Sequence, residues 1–445
     1  MKRKIWRDLI SWKKSLARKP LILRGARQVG KTYILKKFGK EQFPRCHYFN
    51  FEKETGLSKI FEKNLNPLRI LDELSFFSND SINKNDLLIF DEIQNTPRAL
   101  TSLKYFNEEI PHLAICAAGS LLGIQLSSDP FPVGKVHFLD IFPLTFEEFL
   151  LGIGDLKSYR FIQNIKTYVS IPEVIHDHLW EQLKKYFIIG GLPEIVNIYR
   201  KEDDFYLAIN KIREKQNDLI TAYIADMAKH SGKKNAMHIE RLWRNVPQQL
   251  AKEQDGSAPK FKFKGIIAGL NRFAKLAGII DWLSTTGLII KAHIINKAAL
   301  PFSTYTSENT FKLYLFDVGL LGALSNLSPK TILDYEYGSY KGYFAENFIA
   351  QEFLASNIKN LYCWKENTSE VEFVREVDGN ILPIEVKSGW VTQSKSLKSF
   401  ADKYNPLYRI IFSAKNLYTD KEKRIFKLPL YMASKFEDLY EYVAK

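Results

Sequence analysis

Cysteine is almost missing from this chain. There are three in 445 residues, Cys46, Cys116 and Cys363, far apart and never in a C-x-x-C pair. Such a sparse, odd set argues against a disulfide-built secreted scaffold and suits a reducing cytosol. Long apolar runs are missing too, and nothing approaches the ~18 residues a membrane-spanning helix needs. The basic N-terminus is broken by Arg7, Asp8, Lys13 and Lys14, which leaves no apolar stretch for a signal peptide. There is no internal repeat and no low-complexity tract. A cytoplasmic protein with no membrane partner is expected. Acid is the minority charge: 50 Asp and Glu stand against 64 Lys and Arg, a net charge of +14. That excess favours polyanionic partners, nucleic acid above all, and would serve solubility equally well. Hydrophobic content of 45% supports real cores, and the length suggests roughly three domains.

The most informative stretch is Gly25-Ala26-Arg27-Gln28-Val29-Gly30-Lys31-Thr32. It fits G-x-x-x-x-G-K-[ST], a loop whose backbone amides curl inward to cradle phosphate oxygens. Gly25 and Gly30 allow angles and approaches that a Cβ would obstruct. Lys31 is placed to reach β- and γ-phosphates, and the Thr32 hydroxyl to take a Mg²⁺ ion. The apolar run Leu21-Ile22-Leu23 before the loop reads as a buried strand, and residues 33–38 after it read as a helix. The helix N-terminus adds positive potential at the phosphates.

Further strands are expected at residues 46–51, 86–92 and 113–120. The second ends in Asp91-Glu92. A buried strand carries those carboxylates to the sheet edge where ligands bind. Asp91 is the candidate Mg²⁺ ligand and Glu92 the general base that polarises water. Ser120 ends the third strand, either contacting the γ-phosphate or water, or simply capping the next helix. Strands alternating with helices predict an α/β fold with a parallel sheet covered on both faces. Residues 4–17 read as an amphipathic helix beside it.

Four stretches in order, residues 23–32, 90–94, 118–120 and the Pro143-Leu144-Thr145-Phe146-Glu147-Glu148-Phe149 run, resemble the prokaryotic AAA-type ATPases, close to the STAND group, that carry a C-terminal DUF4143 domain. Gly190-Gly191-Leu192-Pro193-Glu194 and the Lys312–Leu321 stretch, Lys-Leu-Tyr-Leu-Phe-Asp-Val-Gly-Leu-Leu, extend the likeness over nearly the whole chain. The resemblance implies ATP and Mg²⁺ as cofactors and ATP hydrolysis as the activity. Many relatives have Gly-Arg where this chain has Gly134-Lys135, and a lysine lacks the arginine's bidentate fork.

Past this region, residues 156–235 read as a helical lid and linker, with residues 229–234 as the linker. Residues 236–332 read as a winged helix-turn-helix: helices at 238–251 and 269–286, a Gly287 C-cap, and a wing strand at 288–295. Lys260, Lys262, Lys264, Arg272 and Lys275 lie among Phe261, Phe263 and Phe273. Two readings stay open: a DNA-facing surface with phosphate-contacting cations, or a packing module with a solvated basic face.

The last segment, 333–445, has its own pattern. A helix at 342–355 places Glu346 on the side of Ile349, Ala350 and Phe353, and a carboxylate on an apolar face calls for a partner or a metal. A hairpin follows, with strands at 371–374 and 382–389 turning at Asp378-Gly379-Asn380. Glu385 and Lys387 share one face of the second strand. On the residues alone this is a hairpin whose charged face meets water. It also resembles the PD-(D/E)xK nuclease fold, an α/β restriction-endonuclease-like domain. That likeness implies Glu346, Glu372 and Glu385 as metal ligands and Lys387 as the electrostatic partner of the phosphate. Relatives usually carry Asp where Glu372 stands. The expected whole is an AAA-type ATPase domain (1–155), the lid (156–235), the winged helix (236–332) and the nuclease-like domain (333–445). It would act as an ATP-hydrolysing switch with DNA as partner. The alternative is a nucleotide-dependent switch that binds protein partners, with the nuclease-like part an inactive scaffold.

Overall fold

The computed structural model describes residues 3–119, 132–165, 170–254, 260–334, 340–389 and 395–444. It divides into two compact units, one built from Lys2–Phe142 with Thr285–Gly287, the other from Pro143–Ser284 and Leu288–Lys445.

The first unit is a five-stranded sheet. β1 (Leu21–Arg24), β2 (Cys46–Asn50), β3 (Leu87–Asp91), β4 (Ala114–Gly119) and β5 (His137–Asp140) lie in the order β2-β3-β4-β1-β5, every pair parallel. The all-apolar runs explain the arrangement: β3 and β4 are buried along their full length, as strands covered on both faces must be. Phe49, Phe51, Phe61, Phe90 and Phe106 pack on one side of the sheet as a chain of mostly edge-to-face rings. The register sets Asp91 beside Asn50 and Ala118, and Arg24 beside Gly119 and Asp140. The helix Ile5–Lys14, expected from its periodicity, buries Ile5, Leu9 and Trp12.

The second unit holds an eight-stranded mixed sheet. β6 (Ile289–Ile295), β7 (Thr306–Leu315), β8 (Leu361–Glu366), β9 (Ser369–Val377), β10 (Asn380–Val386), β11 (Arg409–Ser413), β12 (Tyr418–Asp420) and β13 (Ile425–Pro429) run in the order β12-β13-β11-β10-β9-β8-β6-β7. The expected hairpin is β9–β10. Its turn residues Asp378 and Gly379 both have positive φ, as a two-residue primed turn requires. The strand read as a wing, β6, pairs antiparallel with β7 and parallel with β8. β6 is thus an inner strand of the larger sheet, with β7 on one side and β8 on the other. The helices expected at 238–251 and 269–286 are Lys233–Gln254 and Phe273–Thr285. Gly287 takes φ +73° and the Leu288 amide bonds the Leu283 carbonyl, closing the second helix as a glycine cap does. The linker at 229–234 shrinks to Gly232 between two helices, Phe205–Ser231 and Lys233–Gln254. No helix among the described residues is long and apolar enough to cross a membrane.

The motifs that carry the family likeness meet in a buried polar hub of this unit. Asp317 accepts from the amides of Gly191 at 2.6 Å and Leu320 at 3.0 Å. Gly190 and Gly319 are needed for that approach: a Cβ would stand 2.3 Å from an Asp317 oxygen and 2.6 Å from the Ile189 carbonyl, respectively. The helix Tyr340–Ala355 adds Asn347 on both backbone groups of Leu315, Gln351 between the Val318 amide and the Tyr186 hydroxyl, and Glu352 on the Phe146 amide. These residues hold helix ends and strand ends together. Burial pushes the Asp317 carboxyl up to about 6, against the pull of its backbone donors. The folded state therefore holds this proton to a higher pH than the unfolded chain does, and the associated stability falls as pH rises from about 4 towards about 6. Asp317→Ala should lower unfolding stability by about 3 kcal/mol, because two buried amides lose their acceptor. Denaturant titrations across this pH window should show a shallower pH slope in the variant; an unchanged midpoint and slope would remove the hub from the account.

Candidate functional site

β1 ends at Arg24, the loop follows, and the helix Lys31–Gln42 begins at once. Gly30 adopts φ +94° at the helix start, and no side chain caps that end. Gly25 is fixed by crowding: a Cβ would sit 2.2 Å from the Ile141 carbonyl oxygen. Ala26 and Val29 are buried, Arg27 is half-buried and Gln28 is exposed at φ +65°. Lys31 is buried, and its ammonium donates to the carbonyls of Gly25 at 3.0 Å and Ala26 at 2.8 Å, closing the curl of the loop. Arg3 braces the loop by donating to the carbonyls of Val29 and Phe142 at 3.0 and 2.6 Å.

Thr32 and Asp91 come together as expected. The Thr32 hydroxyl donates to Asp91 Oδ2 at 2.8 Å, and the Tyr48 hydroxyl donates to the same oxygen at 2.7 Å. Asn50 donates to Tyr48 at 2.9 Å, fixing that ring. A hydroxyl and a carboxylate side by side fit Mg²⁺, which takes one or two protein oxygens and completes its octahedron from phosphates and water. Glu92 sits at φ +52°, a strained conformation for this residue, and Gln94 Nε2 donates to its Oε2 at 2.6 Å. Tyr48, Gln94 and Arg3 were not legible as site residues. Tyr48 becomes one only because β2 lies beside β3 in parallel register. Ser120 lies outside the described residues. Lys135, which replaces the relatives' arginine, pairs with Glu108 at 2.9 Å on the surface.

In the second unit, Glu346 and Glu385 are buried, and Glu372 and Lys387 are half-buried. Phe373 pairs with Ile384, which sets Glu372 next to Glu385. Each carboxylate has a protein partner. Glu346 accepts from Tyr314 at 3.1 Å, Glu372 from the Val386 amide at 3.3 Å, and Glu385 meets Lys387 at 2.5 Å. Three further charges join them. Lys312, buried, lies 2.6 Å from Glu370 and 3.5 Å from Glu346, and Lys365 lies 2.9 Å from Glu370. Glu253 presents two buried oxygens without a hydrogen-bond partner, and Glu385 presents one.

Those orphaned oxygens raise the question of a metal, and the cluster does not fit one. Among the described residues no group of three or more His, Cys, Asp or Glu side chains is placed to hold a metal ion. Protons and lysines meet the charge instead. Burial pushes Glu253 up to about 8, and burial, then Glu385 and Glu346, push Glu372 well up. Burial works against the charge on Lys312, but Glu346 foremost holds its proton well above the ordinary range. Glu346, Glu370 and Glu385 each lie within ion-pair distance of Lys312, Lys365 or Lys387. The expected ligand set Glu346, Glu372 and Glu385 thus lies in one charged cluster without forming a metal cage.

A strand–loop–helix that curls around a lysine, with a strand-borne Asp beside the helix's Thr, defines a phosphate-loop nucleotide-binding domain. Residues 17–150 match the family described as an AAA domain, residues 180–331 a domain of unknown function (DUF8612), and residues 341–431 a second one (DUF4143). The chain therefore carries an AAA domain over residues 17–150, and further along it the DUF4143 domain over residues 341–431. Among solved structures, C. elegans PCH-2 aligns over 46% of this chain at 11% identity and TM-score 0.27, and the match spans 65% of that chain, just under two thirds. The Drosophila ORC bound to DNA aligns over 72% of this chain and 94% of its own, at 14% identity and TM-score 0.29. No curated protein matches the sequence.

Tyr48→Phe removes one of two hydroxyls on Asp91 Oδ2. The expected result is an activity loss or a rise in the Mg²⁺ concentration needed for nucleotide turnover of about tenfold, at the low end for groups that orient metal ligands. A Mg²⁺ titration of ATPase rate checks it, and wild-type behaviour would show that Tyr48 does not position Asp91.

Proposed function

We propose that this protein is a Mg²⁺-dependent ATPase whose AAA domain drives a C-terminal output module. The observation that carries the reading is the Thr32–Asp91 contact at 2.8 Å beside a loop closed by Lys31. The amides of residues 25–32 and the Lys31 ammonium bind and orient the β- and γ-phosphates. Thr32 and Asp91 would hold Mg²⁺, which neutralises charge on the phosphate oxygens when bound. Glu92 takes the proton from the attacking water, and Gln94 holds the Glu92 carboxylate in one orientation. Ser120 is the further candidate for the γ-phosphate or that water.

For the output module we infer nucleic-acid contact through charge. Lys260, Lys262, Lys264, Arg272 and Lys275 are all exposed. The rings among them are occupied with each other: Phe263 packs on Phe273 at 5.6 Å and Phe261 on Phe311 at 5.9 Å, with Lys291 over Phe311. Packed rings favour phosphate contact over base stacking, hence binding with little sequence preference. DNA cleavage is left out of this reading, because the carboxylates of the second unit form no metal cage. The DUF4143 region then serves as scaffold or protein-binding surface, the alternative the sequence left open.

Lys31→Ala should abolish ATP binding. Glu92→Gln should keep binding and lower the hydrolysis rate by about a hundredfold or more, the share a general base supplies. Radiolabelled ATP binding and phosphate release separate the two; a Glu92→Gln rate equal to wild type rejects the assignment of the base. Reversing Lys260, Lys264 and Arg272 to Glu should weaken DNA binding and flatten its salt dependence by about 0.9 in log–log slope per lost phosphate contact. Affinity indifferent to salt would sink the surface.

A further inference from the structure

Lys312 has no part in the ATPase reading, and a fully buried lysine calls for an explanation. Lysine ammonium groups are almost never buried unless paired. Here 3% of the residue is exposed, and the Nζ atom stands between Glu370 at 2.6 Å and Glu346 at 3.5 Å. The sheet makes this possible. Lys312 on β7 is the ladder partner of Ala292 on β6, and Ala292 faces Leu361 on β8. Ala292 offers only a methyl group on that face, so the long lysine has room to reach towards Glu370 on β9. Tyr314, two residues on, shares the face and donates to the same Glu346 oxygen that Lys312 approaches. Glu253, on the helix Lys233–Gln254, adds two buried oxygens with no hydrogen-bond partner.

We propose that the Lys312 ammonium is a built-in cation: it fills the place of a metal ion between Glu346 and Glu370, and so closes this carboxylate cluster to metal. A single positive charge with three N–H donors can serve several carboxylate oxygens at once, as a hard cation would. Because it is covalently attached, it needs no metal supply and cannot dissociate. The cluster then becomes a charge-matched core that orders β7, β9 and two helices. Removing the lysine should convert it into a divalent-cation site, since uncompensated buried carboxylates gain most from binding a metal.

The test uses the full-length protein without nucleotide, titrated with Mn²⁺ alone and followed by calorimetry and electron paramagnetic resonance. Wild type should take up no Mn²⁺ that Glu346→Gln abolishes. Lys312→Met should take up about one Mn²⁺ per chain with a raised melting temperature, and Lys312→Met with Glu346→Gln should lose both effects. If Lys312→Met is unfolded in EDTA, recovery of its circular dichroism in Mn²⁺ supports the proposal and failure to recover opposes it. Mn²⁺ uptake by wild type that Glu346→Gln removes would overturn it, as would a folded Lys312→Met that binds none. Nucleotide binding through Lys31 belongs to the other unit and is unaffected by any of these results.

Discussion

A single side-chain meeting governs the N-terminal unit: the Thr32 hydroxyl against the Asp91 carboxylate. These residues are distant in sequence and sit on different elements, a helix N-terminus and a strand end. They meet because apolar strands pair in parallel in the order β2-β3-β4-β1-β5, which sends the ends of β1, β3 and β4 to one edge. The loop can curl there only because Gly25 has no Cβ to strike the Ile141 carbonyl. If the strand order changed, the Gly25–Thr32 loop and the Asp91 carboxylate would separate.

The C-terminal unit uses its charges differently. At the Gly25–Thr32 loop, Lys31 donates to loop carbonyls and Asp91 accepts from hydroxyls, so each charge has polar partners. In the cluster around Lys312, acids and bases neutralise one another inside the protein. Buried ion pairs of this kind add little net stability over apolar packing, because desolvation offsets attraction. Breaking them is costly, since the partner is left charged and dry. The same logic separates the hub around Asp317, where a carboxyl replaces backbone partners at helix ends, from a catalytic constellation.

The geometry of the candidate nucleotide site was largely legible because its logic is local. Eight consecutive residues state the loop, and an apolar run closed by Asp91-Glu92 states the strand that faces it. The residues that tune it were not: Tyr48 and Arg3 reach the site through neighbouring strands and a terminal segment, which no spacing announces. The β9–β10 hairpin was legible from Asp378-Gly379, since two positive φ angles require such a turn. The wing was misplaced because an alternating apolar strand looks alike at an edge or inside a sheet. Only long-range pairing of β6 with β8 decides between them. Glu346, Glu372 and Glu385 were found as a charged group, but the lysine that answers them arrives from β7, in a stretch recognisable only as a family motif.

The most direct check on the whole account is a calorimetric titration of the folded wild-type protein with ATP in Mg²⁺. The account predicts one saturable site per chain, with weaker binding when Mg²⁺ is withdrawn. No measurable heat of binding at any ATP concentration, with the fold verified, would contradict it.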